Sequence, residues 1–205
     1  MTDFKSRKKD IAWIVSHCET ESHREDYVNS LKNSSKLSQK SLKVDIFGKC
    51  GDLEVPTRDP KTDKSDVDAG YRQIAKDYKF YLSLENSLCA EYVTEKFFNA
   101  LKYGILPIVN GGLSKRDYTK IAPPHSYLHI NDFNSPEDLM KTLENLSENQ
   151  DLYNSYFWWK EHYTIETNLE LQTQCQLCDI LNQEGFKSEN DYSQFSNYWN
   201  QCLTP

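Results

Sequence analysis

The stretch from Tyr78 to Gly112, YKFYLSLENSLCAEYVTEKFFNALKYGILPIVNGG, constrains the fold of this chain more than any other. A short apolar run, Phe80 to Leu84, gives way to a polar turn at Glu85, Asn86 and Ser87. Helical spacing follows from Thr94 to Tyr103, and after Gly104 a second apolar run covers Ile105 to Val109. A pattern that changes from a buried β run to a 3.6-residue period and back is that of a βαβ crossover. Such units place ligands where the first strand ends and the helix begins. Glu85, Asn86, Tyr92, Glu95 and Lys96 are concentrated there.

The rest of the chain repeats the alternation. Residues 1–10 are basic and polar and read as a mobile lead-in. Ile11 to Val15 is a buried strand, and the helix beginning at Arg24 offers Tyr27, Val28 and Leu31 as an apolar face. Val44 to Phe47 completes a first βαβ unit. Residues 52–64 form a surface loop and 66–77 a helix leading into the central stretch. Beyond it, the sequence predicts a helix from Ser114 to Ile121, broken by Pro123 and Pro124, and a strand from Tyr127 to Ile130. A further helix, capped by Ser135, carries Leu139, Leu143 and Leu146. The aromatic run from Tyr153 to Trp159 is expected to cover a sheet edge as a packed helix, and the last helix spans about 166–183. The fold class is therefore α/β, a Rossmann-like three-layer parallel sheet over residues 11–185 with C-terminal helices and an irregular tail at 186–205.

The net charge of −7 and pI of about 5.3 argue against general nucleic-acid binding, so any phosphate site must be local. No stretch approaches the roughly 18 consecutive apolar residues of a membrane span, which implies no membrane contact by this chain itself. Six cysteines are many for a reducing compartment and favour structural disulfides. Cys18 and Cys50 fall at the ends of the first two parallel strands, close enough to bridge. The pair Cys175 and Cys178 lacks the histidines or second cysteine pair of a zinc site, and Cys89 and Cys202 have no assigned partner.

Glu95 and Lys96 open a helix, where backbone N–H groups favour a bound phosphate, although a solvated turn accounts for them equally well. Tyr92 can stack on a ring or simply pack. Arg24 opens the helix of the other βαβ unit, at the same edge of a parallel sheet. The fork of Arg24 and the point charge of Lys96 could together neutralise a diphosphate. The glycine-rich phosphate fingerprints are absent.

The run YKFYLSLENSLCAEYVTEKFF, followed by GILPIVNGG, IAPPHSYLHINDFNSPEDL and YFWWK, resembles the α-1,3/1,4-fucosyltransferases, most of all the animal enzymes. IAWIVSHCETESHREDYVNSL and KVDIFGKCG extend the resemblance over about residues 11–180. The usual FEN triplet is here Leu84-Glu85-Asn86. The resemblance implies the C-terminal, donor-binding half of a GT-B glycosyltransferase. The acceptor half, with the general base, would need roughly 150 residues ahead of Asp10. Arg24 and Lys96 would bind the pyrophosphate of GDP-fucose, Tyr92 and Glu95 would contact nucleotide and fucose, and Asn86 and Tyr81 would line the same pocket. Catalytic roles fall to Glu95, Lys96 and Arg24. The implied reaction is inverting transfer of fucose, in α-1,3 linkage, to an N-acetylglucosamine-containing glycan, without metal or cofactor and by a Golgi-lumenal enzyme anchored in the membrane in its full-length form. This chain alone would then be inactive or nearly so. A non-catalytic GDP-sugar-binding module is the alternative.

Overall fold

Strand-forming apolar runs separated by amphipathic helices can bury both faces of a sheet only by crossing over it repeatedly. The computed structural model, which describes residues 4–38, 40–57, 68–165, 179 and 182, shows that arrangement. Five parallel strands, β1 (Lys9–Ile14), β2 (Val44–Phe47), β3 (Tyr78–Leu84), β4 (Leu106–Asn110) and β5 (Leu128–His129), lie in the order β2-β1-β3-β4-β5. Among the described residues, six α-helices accompany them: α1 (Arg24–Leu37), α2 (Ala69–Asp77), α3 (Glu95–Tyr103), α4 (Lys115–Ile121), α5 (Pro136–Glu148) and α6 (Gln150–Ser155).

One face of the sheet packs Ile11, Phe80, Leu82 and Ile108 against Val28 and Leu31 of α1 and Leu139, Leu143 and Leu146 of α5. The other packs Ala12, Tyr78 and Tyr81 against Ile74 of α2 and Ala100 of α3. Each of the Val, Leu, Ile and Phe side chains among them, removed from water, contributes about 1.5–3 kcal/mol. Alternating strand residues thus serve two helix layers, which makes the three-layer α/β reading correct. Ser135 caps α5 as expected, its hydroxyl accepting from the Asp138 N–H at 3.3 Å. Gly104 ends α3 in the left-handed region, at φ 72°, turning the chain directly into β4.

Three expectations change. The lead-in is not loose from Phe4 onward, because Phe4–Ser6 form a 3₁₀ turn and Arg7 is buried. Arg7 donates to the Tyr153 hydroxyl at 2.6 Å and to the Gly104 carbonyl at 2.7 Å, which lets a basic residue sit inside. The strand expected at Tyr127–Ile130 has only two paired residues before a 3₁₀ turn at Ile130–Asp132, held where His129 Nδ1 accepts from the Asn131 N–H. The aromatic run is not one helix: α6 ends at Ser155, and Trp158–Glu161 form a 3₁₀ turn. Its rings therefore part company, Tyr153 lying under Phe4 and Phe80 while Trp159 enters a cluster with Phe97, Tyr118 and Tyr127. Apart from residues 179 and 182, the helix expected at 166–183 lies outside the described residues, as do the tail at 186–205 and Cys175, Cys178 and Cys202.

Candidate functional site

In the order β2-β1-β3-β4-β5 the chain leaves β1 on one side and returns on the other, so the sheet reverses direction of winding between β1 and β3. Loops at the carboxyl ends of those two strands diverge to opposite faces and leave a crevice, where ligands bind in open α/β sheets. The crevice lies between the segment after β1, Val15 to His23, and the turn after β3, Glu85 to Thr94.

The first wall is held in place by covalent and hydrogen bonds. Cys18 is joined to Cys50, tying the loop after β1 to the turn after β2. The Thr20 N–H and hydroxyl donate to Glu25 at 2.7 and 2.9 Å, folding the loop onto the first turn of α1. Ser22 then reaches across the crevice floor: its hydroxyl donates to the Glu85 carbonyl at 2.7 Å and its N–H to the Asn86 carbonyl at 3.2 Å. His23, at φ 47°, turns the chain into α1.

Arg24, the first residue of α1, is only 2% exposed. Its Nη1 donates to the Leu84 carbonyl at 2.6 Å and its Nη2 to the His17 carbonyl at 3.1 Å, so one guanidinium joins the ends of β3 and β1. The cation also lies 5.5 Å from the Trp13 ring. Burial lowers its pKa, against the opposing pull of Glu25 and Glu85, but an arginine remains charged at any physiological pH. Its Nε–H is buried and has no hydrogen-bond partner among the described residues.

The second wall centres on a residue that the sequence shows only as part of a polar turn. Glu85 is 1% exposed, and its carboxylate accepts from the Thr94 N–H at 2.8 Å, from the Thr94 hydroxyl, and from Lys96 Nζ at 2.9 Å. Lys96 Nζ also donates to the Thr94 hydroxyl at 2.7 Å and stands 3.5 Å from Glu95 Oε1. The Lys96 side chain is 14% exposed and that of Glu95 64%, so Glu95 stands at the open rim while Lys96 lies inside it. Arg24 and Lys96 therefore converge on consecutive residues, one on the Leu84 carbonyl and the other on the Glu85 carboxylate.

Asn86 and Tyr92 are half-buried on the same turn, whose backbone closes with the Tyr92 N–H on the Cys89 carbonyl at 3.1 Å. The loop after β4 presses against this turn. A Cβ on Gly112 would stand 1.5 Å from the Cys89 carbonyl oxygen, so only glycine fits. Cys89 itself is buried and disulfide-bonded. Tyr81, expected to line the pocket, is fully buried on β3 instead, with its hydroxyl 3.4 Å from that of Tyr71 and its pKa pushed well up by burial. It faces the α2–α3 layer because the strand's alternation sends Tyr81 away from the face that Phe80 and Leu82 share.

A cavity of about 590 Å³ lies elsewhere, between α1 and the edge strand β2, with Lys32, Lys36, Lys43 and Asp45 among its walls. The convergence of buried and half-buried charges marks the crevice as the better candidate, since volume alone gives no chemistry.

The sequence matches Glycosyltransferase family 10 (fucosyltransferase) C-term over residues 4–198. The chain belongs to this family. It is 39% identical over 201 residues to alpha-(1,3)-fucosyltransferase C of Drosophila melanogaster, covering 97% of this chain and 42% of that protein. It is 32% identical over 197 residues to 4-galactosyl-N-acetylglucosaminide 3-alpha-L-fucosyltransferase 9 of Mus musculus, covering 95% of this chain and 49% of that one. The chain thus spans less than half the length of these family members. Its fold is similar to that of an alpha1,3-fucosyltransferase solved with GDP-fucose, at a TM-score of 0.57 and 17% identity, over 92% of this chain and 51% of the other. The expected family and its C-terminal, Rossmann-like half are therefore correct.

Proposed function

We propose that this chain is the donor-binding part of an inverting α-1,3-fucosyltransferase that holds GDP-fucose in the crevice between β1 and β3. The observation that carries this reading is the convergence of Arg24 and Lys96 on Leu84 and Glu85 at the point where the sheet changes winding direction. Family membership supports the choice of donor. The diphosphate lies in the field of the Arg24 guanidinium and takes a remaining Lys96 donor, Tyr92 and Asn86 border the nucleotide and sugar, and Glu95 reaches fucose hydroxyls from the rim. Tyr81 acts through the core beneath the site.

Fucosyl transfer with inversion passes through an oxocarbenium-like centre while GDP departs as an anion. Fixed cations at the diphosphate stabilise that departing charge, and a carboxylate at the rim stabilises the developing positive sugar. Arg24 and Lys96 supply the first, the role a metal ion would otherwise fill. Glu95 supplies the second. The acceptor, an N-acetylglucosamine-containing glycan, and the base that takes its proton are assigned to the part of the full-length protein outside this chain, working in the Golgi lumen.

Calorimetric titration of the folded 205-residue chain with GDP-fucose, GDP and UDP tests the donor site. Heat of binding for the two guanine nucleotides and none for UDP is expected; no heat for any of them on folded protein overturns the reading. Acceptor-dependent turnover by this chain alone would overturn the assignment of the base to the rest of the protein.

A further inference from the structure

Resting on the donor-site reading, the geometry points to Glu85 as a positioning residue that sets Lys96 for the diphosphate. A carboxylate that is 1% exposed is costly to bury unless it is paired and hydrogen-bonded. Glu85 meets that condition with the Thr94 N–H, the Thr94 hydroxyl and Lys96 Nζ. Its own backbone is fixed from two sides, the N–H donating to the Asn110 carbonyl at 2.9 Å and the carbonyl accepting from the Ser22 hydroxyl. The carboxylate is thus part of the sheet scaffold, tied to the end of β4 and to the loop after β1.

Lys96 inherits that rigidity. Of its three Nζ hydrogens, two have acceptors at 2.9 Å on Glu85 and 2.7 Å on Thr94. The next acceptor, Glu95 Oε1, is 3.5 Å away, too far for a strong hydrogen bond. The third hydrogen is left for a phosphate oxygen, in a direction fixed by the other two. A flexible four-carbon chain becomes a directed donor. Glu85 does not touch the donor in this arrangement; it acts through Lys96, with Thr94 sharing the load.

The test is a double-mutant cycle on GDP affinity, measured by calorimetry on the 205-residue chain at fixed salt. Glu85→Gln keeps the shape and can still accept from Thr94 through its amide oxygen, but it then turns an NH2 donor, not an acceptor, toward the Lys96 ammonium. It should weaken GDP binding about tenfold, the scale of a hydrogen bond to a charged group. In a Lys96→Met background the same change should have no further effect on affinity. An equal loss in both backgrounds would assign Glu85 a merely structural role and overturn the proposal, as would unchanged affinity in Glu85→Gln alone. If Glu85→Gln does not fold, Thr94→Val removes the shared hydroxyl while keeping the shape, and should weaken GDP binding a few-fold; no loss there also overturns it. A folded unsubstituted chain that fails to bind GDP would remove the donor-site reading, and this proposal with it, whereas binding without the Glu85–Lys96 coupling removes the proposal alone.

Discussion

Replacing Cys18 and Cys50 together by serine should lower stability by about 4 kcal/mol. The two residues are 32 apart in sequence, and closing a loop of that size in the unfolded chain removes about 12 cal/mol/K of entropy, or about 3.7 kcal/mol at 25 °C. Packing adds little, since Cys18 is exposed and Cys50 only half-buried. The bridge also does no work that the sheet does not reinforce: β1 and β2 are already paired up to Ile14 and Phe47, and the Cys50 N–H donates to the Val15 carbonyl. The native fold of the double variant should therefore be intact and the loss should arise from the unfolded state. Urea denaturation followed by far-UV circular dichroism measures it. With a slope near 2 kcal/mol/M, the midpoint should fall by about 2 M. Substitution is preferable to reductant, because Cys89 is disulfide-bonded as well. A midpoint shift under about 0.5 M with an unchanged slope would refute the chain-entropy argument and show that the unfolded loop is already constrained.

Arg7→Met should destabilise the chain by about 1–3 kcal/mol, because it leaves the buried Gly104 carbonyl without its Arg7 donor while Tyr153 keeps its bond to the Lys79 carbonyl. Thermal melting would show it, and an unchanged melting temperature would return residues 4–10 to the status of a loose lead-in. Asp45 supplies a pH dependence. Burial would raise its carboxyl pKa, but hydrogen bonds from Lys43 and Tyr78 outweigh burial and hold it below the usual range. A folded-state pKa depressed below the unfolded value of about 3.9 gives stability that is fully present above that pH and lost as pH falls through the folded value. Asp45→Asn should therefore flatten the stability profile below about pH 4 as read by urea midpoints, and an unchanged slope there would contradict it.

The sheet was legible because its central strands β3 and β4 are almost wholly buried. Phe80 to Leu84 and Leu106 to Val109 read as continuous apolar runs, and the glycine after α3 punctuates the crossover. The winding reversal that locates the crevice comes from the strand order β2-β1-β3-β4-β5, which the apolar pattern does not specify. What could not be read locally depends on long-range pairing. Arg7 looks like one member of a basic tail until Tyr153 and Gly104, which lie far along the chain, supply acceptors for it. Glu85 looks like one polar residue in a turn until the fold brings Lys96 and Thr94 onto its carboxylate. A burial cue existed, since Glu85 directly follows the buried end of β3, but its partners become visible only when the helix start is folded back. Tyr81 shows the opposite case, in which the resemblance placed a residue in the pocket and strand alternation turns its ring into the core.

The two cations of the crevice are held by different chemistry, and the difference separates their roles. Arg24 is oriented by two carbonyl oxygens and an aromatic face, none of which carries a formal charge, so its positive charge is offset only through space, by Glu25 and Glu85. Glu25, its neighbour in sequence, has its carboxylate engaged by Thr20. Lys96 is instead paired with a buried carboxylate, so the pair is close to neutral and offers a directed hydrogen bond rather than net charge. A diphosphate entering the crevice would therefore draw its long-range attraction chiefly from Arg24 and its registration from Lys96. Screening by salt weakens the first and leaves a short, buried hydrogen bond nearly untouched. The salt dependence of GDP binding should accordingly track Arg24 and not the Glu85–Lys96 pair: Arg24→Gln should flatten it, while Glu85→Gln, which leaves Lys96 with an uncompensated charge, should steepen it even as affinity falls.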